Sequence, residues 1–434
     1  MFIYFQVSPT GNRPCILCRN VFDTKGARAL PDGMVGISCP KRADLIFHTN
    51  ESVFAMADRL KAAIANKKQY ERLETTYGLH YIPSGVMYDT SLRNRGIYLP
   101  LSHYLRDWMH VIASGGVANV HLGLLLHVLK AHGFTLDFIA NAVMAFTLPK
   151  KWGKVQRTWI TENRLHDDNL ASFASTVLAL LVILNCFLND VVKPTGQLSD
   201  HILCFGFLVE IVNILRMGSE GAALHVDRLT RLIDLHNQLF IVLYEFGVKS
   251  KFHHLHHIVD HINWIGKCLS CFVTERKHRS SKSSALYVFR FMESSVLHDQ
   301  INKCCESMFD ANSSLFRRTN MLTPTKHDFN GRTMYRSSAA LLDCGIIKPG
   351  DIVWLNSDIV GRVVAFWGDN EYGEDFCVEL DAFDAVHEGE NQYFEDSSSR
   401  SHIAPAHAIL DACIWVYRRA GLMRVITPFA ARVR

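Results

Sequence analysis

Three short clusters in the sequence carry side chains that bind metals or transfer protons. The first is LRDWMH, in which Asp107 and His110 stand three residues apart, just ahead of a small, apolar, glycine-bearing run. A carboxylate in this setting is typical of a helix N-cap that complements the helix dipole. The same pair is typical of a metal-binding carboxylate with a neighbouring histidine. The local sequence favours the cap, and the metal site is the alternative.

The second cluster is KFHHLHHIVDH, residues 251–261, which holds five histidines within nine residues. A single histidine on a helix is usually structural. Helical spacing puts His253, His257 and His261 near one face of the helix. Histidines at i and i+4 are also a usual spacing for zinc ligands. The pattern indicates a metal or active-site role, with structural histidines as the alternative.

Cysteines supply further candidate ligands. The chain has 12 of them, and its apolar start has no preceding basic segment, which together predict reduced, buried thiols in an intracellular protein. Two CxxC pairs differ from the rest, Cys15/Cys18 and Cys268/Cys271. Either pair could ligate zinc.

The third cluster, TERKHR, sets a single carboxylate among cations. Glu275 is followed by Arg276, Lys277 and Arg279. One interpretation is a solvated, salt-bridged surface. The other is a metal-binding glutamate flanked by residues that contact phosphates.

Composition allows a large core and a nucleic-acid partner. The 434 residues suffice for two or three domains of about 150 residues each. A chain that is 48% hydrophobic and 20% charged is not broadly disordered. The net charge of +4 is compatible with nucleic-acid binding but does not require it.

Long apolar segments between about residues 111 and 266 predict an all-helical block. Leu170–Leu188 carries no charge and approaches the ~20 residues of a membrane span. Its Ser, Thr and Asn content and the acidic residues before it favour a buried helix in a bundle. The membrane span is the alternative.

From about residue 345 the sequence alternates as strands do, which predicts a small β-barrel module. Three aromatic residues, Trp354, Phe366 and Trp367, fall on these strands. They are interpreted as barrel core, with a methyl-lysine cage as the alternative.

Taken together and in this order, the clusters resemble the eukaryotic cut-and-paste transposases with a DDE/D catalytic core. They are most similar to the CACTA-type (En/Spm-like) elements. The matching stretches are GNRPCILCRNV, the segment from GLHYIP to DWMH, KFHHLHHIVDHINWIG and FVTERKHR, which cover much of residues 8–290. Each motif is short, so the resemblance rests on their order and spacing.

The resemblance implies an α+β, predominantly helical fold. A partial RNase H-like α/β core with the CxxC segment would occupy residues 1–111. A large all-helical insertion, residues 112–268, would interrupt it, and residues 269–335 would return to the core. A small SH3-like β-barrel at residues 340–434 lies outside the matched region.

The resemblance also implies catalytic roles. Asp107 would match the second catalytic carboxylate, His110 the histidine of the Asp-x-x-His signature, and Glu275 the third carboxylate. In the family, carboxylates hold two divalent ions that activate water or a 3′-hydroxyl for attack on a phosphodiester. Mg²⁺ (or Mn²⁺) suits such oxygen ligands.

A structural zinc site is implied as well. Cys15 and Cys18 would match its cysteines, closed by His253 and His257 into a Cys₂His₂ tetrahedron around Zn²⁺. Pairing of Cys15/Cys18 with Cys268/Cys271 is the alternative.

DNA, as transposon ends, is the partner that the resemblance implies. Its backbone would contact Arg276, Lys277, Arg279 and Lys282 beside the carboxylates. The expected location is the nucleus. A homo-oligomer is expected, and no membrane partner.

The sequence departs from the family at the first catalytic aspartate, which should precede the CxxC pair. The segment MFIYFQVS contains no acid, and Asp23 and Asp89 are interpreted as loop residues. We therefore predict a transposase-derived DNA-binding protein that is inactive in strand cleavage and transfer unless its core is complete. The alternative is a non-catalytic nuclear scaffold or chromatin-binding protein domesticated from a transposon.

Overall fold

Helices dominate the first part of the chain and strands the last part. The computed structural model describes residues 15–19, 21–22, 28–29, 35–37, 41–244, 248–269, 295, 297–298, 301–302, 305, 319–329, 331–342, 344–356, 358–370, 375–388, 391–419 and 421–426. The α-helices are α1 (Asn50–Ala62), α2 (Lys67–Tyr77), α3 (Thr90–Asn94), α4 (Pro100–His103), α5 (Val117–Ala131), α6 (Leu136–Met144), α7 (Ala174–Phe187), α8 (Ser199–Arg216), α9 (Gly218–Leu224), α10 (Val226–Leu243) and α11 (Ser250–Ile265).

Shorter helical turns and the strands complete the fold. The π-helical turns are Met109–Ala113 and Leu188–Val192, and the 3₁₀ turns are Arg42–Asp44, Val86–Tyr88, Lys150–Trp152, Arg157–Trp159, Glu162–Arg164, Lys193–Thr195 and Ala406–Ala408. The strands are β1 (Val21–Phe22), β2 (Arg28–Ala29), β3 (Val35–Ile37), β4 (Leu165–His166), β5 (Asn169–Leu170), β6 (Asn320–Met321), β7 (Thr325–Phe329), β8 (Arg332–Ser337), β9 (Ala340–Leu342), β10 (Gly345–Ile347), β11 (Ile352–Leu355), β12 (Val360–Gly368), β13 (Phe376–Glu388), β14 (Asn391–Pro405), β15 (Ile409–Ala412), β16 (Ile414–Arg419) and β17 (Leu422–Ile426). This is an α+β fold.

The chain divides into two compact units. The first comprises residues Met1–Thr135 and Glu162–Cys271, and the second comprises Leu136–Thr161 and Phe272–Arg434. Residues 136–161 of the predicted helical block, which include α6, therefore belong to the second unit.

The core of the first unit is a helical bundle around α7. This helix packs against α5, α8 and the Met109–Ala113 turn. Leu180, Leu181 and Leu184 on it are fully buried. It lies within Leu170–Leu188, the segment for which the sequence predicted a buried helix, because its apolar residues cover nearly its whole circumference.

Two helices in the described part of the chain are long and apolar enough to cross a membrane, Met109–Ala131 and Ala174–Thr195. The most apolar windows of these helices are 72% and 61% buried inside the protein. The core helix of a soluble protein passes the same test of length and composition. The burial of Ala174–Thr195 is what the bundle interpretation expects.

Close backbone contact fixes α5 against the β4–β5 hairpin. Asn119 donates from its amide to the carbonyls of Leu170, at 3.0 Å, and Ser172, at 3.3 Å. One turn later Gly123 faces the hairpin, and a Cβ there would lie 2.4 Å from the carbonyl carbon of Asn169. Glycine at this position therefore allows the helix and the hairpin backbone to touch.

Helix α1 is capped by Thr49, the residue just before it. Thr49 and Ser52 form a capping box, each side chain accepting from the other residue's amide. Asn50, the first residue of the helix, accepts from the Leu101 amide at 3.0 Å. A hydroxyl at position 49 thus takes the capping role, and the Asn50 side chain is used for a tertiary contact.

Among the described residues of the first unit, strands are few and short. Strands β1, β3 and β2 form one small sheet, and β4 pairs with β5. These strands have two or three residues each. They are too short to define an RNase H-like core.

The second unit contains a nine-stranded sheet, in which β15-β11-β12-β13-β14-β17-β16 form the main path. The described strands pair antiparallel and leave this sheet open, without the closed barrel that the alternation predicted. Trp354 and Phe366 are buried in its hydrophobic clusters, as the core interpretation expects. Trp367 is half-buried and lines a cavity of about 820 Å³.

Candidate metal centre

Helix α11 presents an unusual buried surface. It runs from Ser250 to Ile265 and ends at Gly266, which has a left-handed φ of 67°. All five of its histidines are buried. Burying polar side chains costs free energy unless each finds a partner, so the partners of these histidines define what the helix does.

Two of the histidines meet the first CxxC pair. The Nε2 atom of His257 lies 3.2 Å from Cys15 Sγ, 3.4 Å from Cys18 Sγ and 3.1 Å from His253 Nε2. Each residue offers one ligand atom, and all four atoms lie within 4.8 Å of one another. These residues, the Cys/His cluster, are the predicted zinc ligands.

The spacing of the Cys/His cluster fits a tetrahedral ion. Zinc bond lengths place ligand nitrogens about 3.3 Å apart and a nitrogen and a sulfur about 3.6 Å apart. The observed contacts are within a few tenths of an ångström of those values. The cluster could therefore hold a metal such as zinc, and four protein ligands would close its coordination, as in structural zinc sites.

The CxxC turn is held by the backbone and by the hydrophobic core. Cys18 forms an isolated β-bridge with Phe47, and the Arg19 amide donates to the Ile46 carbonyl at 2.7 Å. The four residues 15–18 are buried in one cluster with Val53 and other residues of α1. These contacts place both sulfurs on the side of the turn that faces α11.

Electrostatics inside the Cys/His cluster favour a charged pair when no metal is bound. Burial raises the pKa of the Cys15 thiol, but its hydrogen bond with Cys18 and the charge on His257 bring that pKa well below its usual value. Burial lowers the pKa of His257, yet the Cys15 thiolate and Asp260 raise it overall to about 9. The hydrogen bond with Cys15 and burial raise the pKa of Cys18. Burial lowers the pKa of His253.

Zinc binding should therefore release about two protons per ion at neutral pH, one from Cys18 and one from His257. Between pH 6 and 8 the dissociation constant should fall by about a hundredfold per pH unit, since two protons compete with the ion. Above about pH 9 His257 is already neutral without metal, so the slope should fall toward one proton. Calorimetry in buffers of different ionisation enthalpy measures this release. Release of no protons at pH 7 would contradict the assignment.

The Asp260 carboxylate orients the His257 ring through Nδ1, the nitrogen that does not face the sulfurs. The Nδ1–H group of His257 donates to Asp260 Oδ2 at 2.9 Å, and the Arg42 guanidinium donates to the other oxygen of Asp260. This contact leaves Nε2 of His257 as the atom that faces the sulfurs. Carboxylates commonly fix metal-bound histidines in this way.

Asp260→Asn should weaken zinc binding by about 10–100-fold, because the ring loses its charged acceptor. Competition with a chelator of known affinity measures the change. Glu210→Gln is the matched control, since Glu210 pairs with Arg228 on an exposed face of the same unit. Equal zinc affinities for the two variants would show that Asp260 does not support the site.

The remaining histidines of α11 have other partners. His261, predicted on the same face, accepts from the Arg106 amide at 3.0 Å, and the Arg106 guanidinium lies 3.1 Å from His254 Nε2. His256 Nε2 lies 3.1 Å from the amide nitrogen of Asn237. These three histidines form structural hydrogen bonds.

The Asp107–His110 turn has the geometry of a cap. Asp107 Oδ2 accepts from the His110 amide at 2.9 Å and lies 2.6 Å from His110 Nδ1. The Asp107 side chain is 13% exposed and that of His110 is 47% exposed. The local prediction of a cap is therefore confirmed.

Lys251 connects this turn to α11. Its ammonium group donates to the carbonyls of His110 and Ser114, both at 2.8 Å. His110 lies within the short Met109–Ala113 turn and Ser114 follows it, so Lys251 supplies a donor to carbonyls for which so short a turn has few partners. Lys251, the first residue of the histidine-rich cluster, thus joins the Asp107–His110 turn to the helix that carries His253 and His257.

Several predicted residues lie outside the described part of the chain. They are Cys271, Glu275, Arg276, Lys277, Arg279 and Lys282. The expected meeting of Asp107 with Glu275 stays a prediction. Cys268 is described and is buried, but it is not among the four residues of the Cys/His cluster.

Comparison with known protein families, with curated proteins and with solved structures found no match.

Proposed function

We propose that this chain is a transposase-derived DNA-binding protein in which a structural Zn²⁺ ion holds the CxxC turn against α11. The observation that carries the proposal is the convergence of two motifs from the family resemblance. Cys15 and His257 are 242 positions apart in sequence, yet their ligand atoms lie 3.2 Å apart. A chance similarity of short motifs gives no reason for this convergence.

The Zn²⁺ ion has a structural role in this proposal. Four buried protein ligands leave no open coordination position for substrate, and catalytic zinc sites keep one. The ion fixes α11, and Lys251 on α11 in turn fixes the Asp107–His110 turn. The zinc site thereby orients the carboxylate to which the resemblance assigns a catalytic role.

Strand cleavage and transfer would need the complete core. An RNase H-like core would bring Asp107 and Glu275 to a pair of Mg²⁺ or Mn²⁺ ions, one supporting the nucleophile and the other the leaving oxygen. His110 would lie beside Asp107, to which it is already hydrogen bonded. The basic residues after Glu275 would contact the phosphate backbone. The protein would act in the nucleus, as a homo-oligomer on transposon ends.

DNA affinity tests the proposal directly. Alanine at the four basic positions Arg276, Lys277, Arg279 and Lys282 should weaken binding to duplex DNA and reduce the slope of log K against log[salt] by up to about 3.6, since each phosphate contact contributes about 0.9. The control carries the same loss of charge at exposed positions of the α1–α2 region, namely Arg59, Lys61, Lys67 and Lys68. If the wild-type chain binds DNA and both variants lose the same affinity, the binding depends on net charge only, which contradicts the proposed contacts. Absence of binding by the wild-type chain would refute the proposal.

A non-catalytic nuclear scaffold or chromatin-binding protein is the second candidate. It is favoured by one observation, that the Asp107 carboxylate already accepts from its own helix start as a cap does. Incubation of supercoiled DNA with Mg²⁺ or Mn²⁺ separates the two candidates. Cleavage that Asp107→Asn abolishes supports the enzyme. DNA binding without cleavage supports a repurposed, non-catalytic protein.

A further inference from the structure

A second group of metal-ligating side chains lies inside the helical bundle. His121 on α5, Cys204 on α8 and His236 on α10 each offer one ligand atom, and these atoms lie within 4.8 Å of one another. All three residues are fully buried. We call this group the inner cluster, and neither the sequence motifs nor the proposed function uses it.

Hydrogen bonds fix which nitrogen of His236 can bind a metal. The amide nitrogen of Asn237 donates to the Phe252 carbonyl at 3.3 Å and to His256 Nε2 at 3.1 Å. The amide oxygen of Asn237 therefore faces His236 Nδ1, at 3.1 Å, and that nitrogen must carry the proton. His236 Nε2 is left with a lone pair, which points toward His121 Nδ1 at 3.1 Å.

Two polar atoms around the inner cluster have no partner. His121 Nε2 and the Tyr244 hydroxyl are buried and form no hydrogen bond with the described residues. The ring of Tyr244 packs against His121, with a distance of 5.5 Å between ring centroids. A metal on His121 Nδ1 would leave its Nε2 atom unchanged, so of these two atoms only the Tyr244 hydroxyl is open to a ligand at the inner cluster.

The chemical state of the inner cluster suits a metal. Burial lowers the pKa of His236 to about 4 and that of His121 well below its usual value, so both imidazoles are neutral. Burial raises the pKa of the Cys204 thiol. That thiol, whose sulfur lies 3.7 Å from the His236 carbonyl, must lose its proton to become a ligand.

We propose that the inner cluster binds a second Zn²⁺ ion through His121, Cys204 and His236. The 3.1 Å between His121 Nδ1 and His236 Nε2 is close to the ~3.3 Å that two nitrogens adopt on one tetrahedral zinc. On binding, the S–H bond of Cys204 breaks, the sulfur bonds the metal, and the proton leaves to solvent. Three protein ligands would leave one position of a tetrahedral ion for a further ligand such as water. A thiolate and two imidazoles select zinc over Mg²⁺ or Ca²⁺.

Metal content and sulfur coordination test the second site on the full chain. Purified wild-type protein should contain about two zinc ions per chain, and Cys204→Ser about one, because a hydroxyl is a poor zinc ligand. Cys186→Ser is the matched control, since Cys186 is half-buried on the neighbouring helix α7, and it should keep two. X-ray absorption should count about 1.5 sulfurs per zinc in the wild type, three thiolates over two ions.

These outcomes decide the proposal whether or not a variant folds. One zinc per chain with two sulfurs around it would overturn the proposal, because only the Cys/His cluster would then be occupied. Two ions that persist in Cys204→Ser would also overturn it, because the second would then lie elsewhere. If Cys204→Ser does not fold, His121→Gln serves as the second variant, and the sulfur count of the wild type still decides. The test is independent of DNA binding, so it can fail while the proposed function holds.

Discussion

Replacing both Cys15 and Cys18 by serine is expected to remove zinc from the Cys/His cluster and to unfold the first unit. Structural zinc sites contribute about 10–16 kcal/mol of apparent binding free energy in small peptides, whereas whole domains are stable by only about 5–15 kcal/mol. Without the thiols and the metal, His253 and His257 would remain buried but would lose the groups that their Nε2 atoms face, which costs free energy. The result should be loss of cooperative unfolding in the helical part of the chain.

Zinc content, far-ultraviolet circular dichroism and limited proteolysis measure this effect. Cys186→Ser is the control, since the same substitution at a half-buried cysteine outside the cluster should leave zinc binding and stability close to wild type. Removing zinc from the wild type with a chelator should reproduce the loss, and adding zinc back should reverse it. A double variant with wild-type stability would show that the cluster holds no structural metal.

Gly123→Ala is expected to be strongly destabilising, although alanine is the better helix former. Its Cβ would lie 2.4 Å from the carbonyl carbon of Asn169 and 2.8 Å from the Leu170 amide nitrogen. These are backbone atoms, and the hydrogen bond from Asn119 to the Leu170 carbonyl holds them in place. Overpacking of this kind costs typically 1–3 kcal/mol and sometimes more, and we expect a loss of at least about 3 kcal/mol.

Gly206→Ala is the matched control for this prediction. Gly206 also lies inside a helix, α8, but a Cβ there meets nothing within 4 Å. The substitution should therefore stabilise the protein by roughly 0.5–1 kcal/mol, because alanine loses less backbone entropy in a helix. Chemical denaturation measures both variants. If Gly123→Ala also stabilised the protein, the close approach of α5 and the hairpin would be refuted.

Local sequence predicted those parts of the molecule that depend on spacing along one element. The i, i+4 spacing and the CxxC pattern marked four candidate ligands, and the family resemblance implied that they converge, as they do. The apolar run of α7 predicted its burial. In each case the periodicity of one helix or one short turn determines where the side chains lie.

Features that depend on tertiary contacts were missed. Asp260 could have been noticed as an acid three residues after His257, but only the fold brings Arg42 to it. Lys251 gave no sign that it joins two elements 137 residues apart. Strand alternation likewise predicts strands but not whether a sheet closes, because closure depends on register and tilt.

The inner cluster had no signal in the sequence. His121, Cys204 and His236 lie on three different helices, and no two of them form a motif in the sequence. A lone histidine or cysteine on a helix is usually structural. Only packing of the helices shows that the three side chains converge.

The separation of the cluster's ligands has a consequence for the protein during its synthesis. The 242 positions between Cys15 and His257 take on the order of 10–50 s to translate. Throughout that interval Cys15 and Cys18 have been synthesised, whereas His253 and His257 have not. The cell must therefore keep the nascent thiol pair reduced and prevent it from binding other metal ions until α11 emerges. The first unit ends at Cys271, so it can complete its folding only after α11 has been made, while the strands of the second unit are still being synthesised. Its folding therefore depends on reductant and zinc at that later stage rather than when the thiols first emerge.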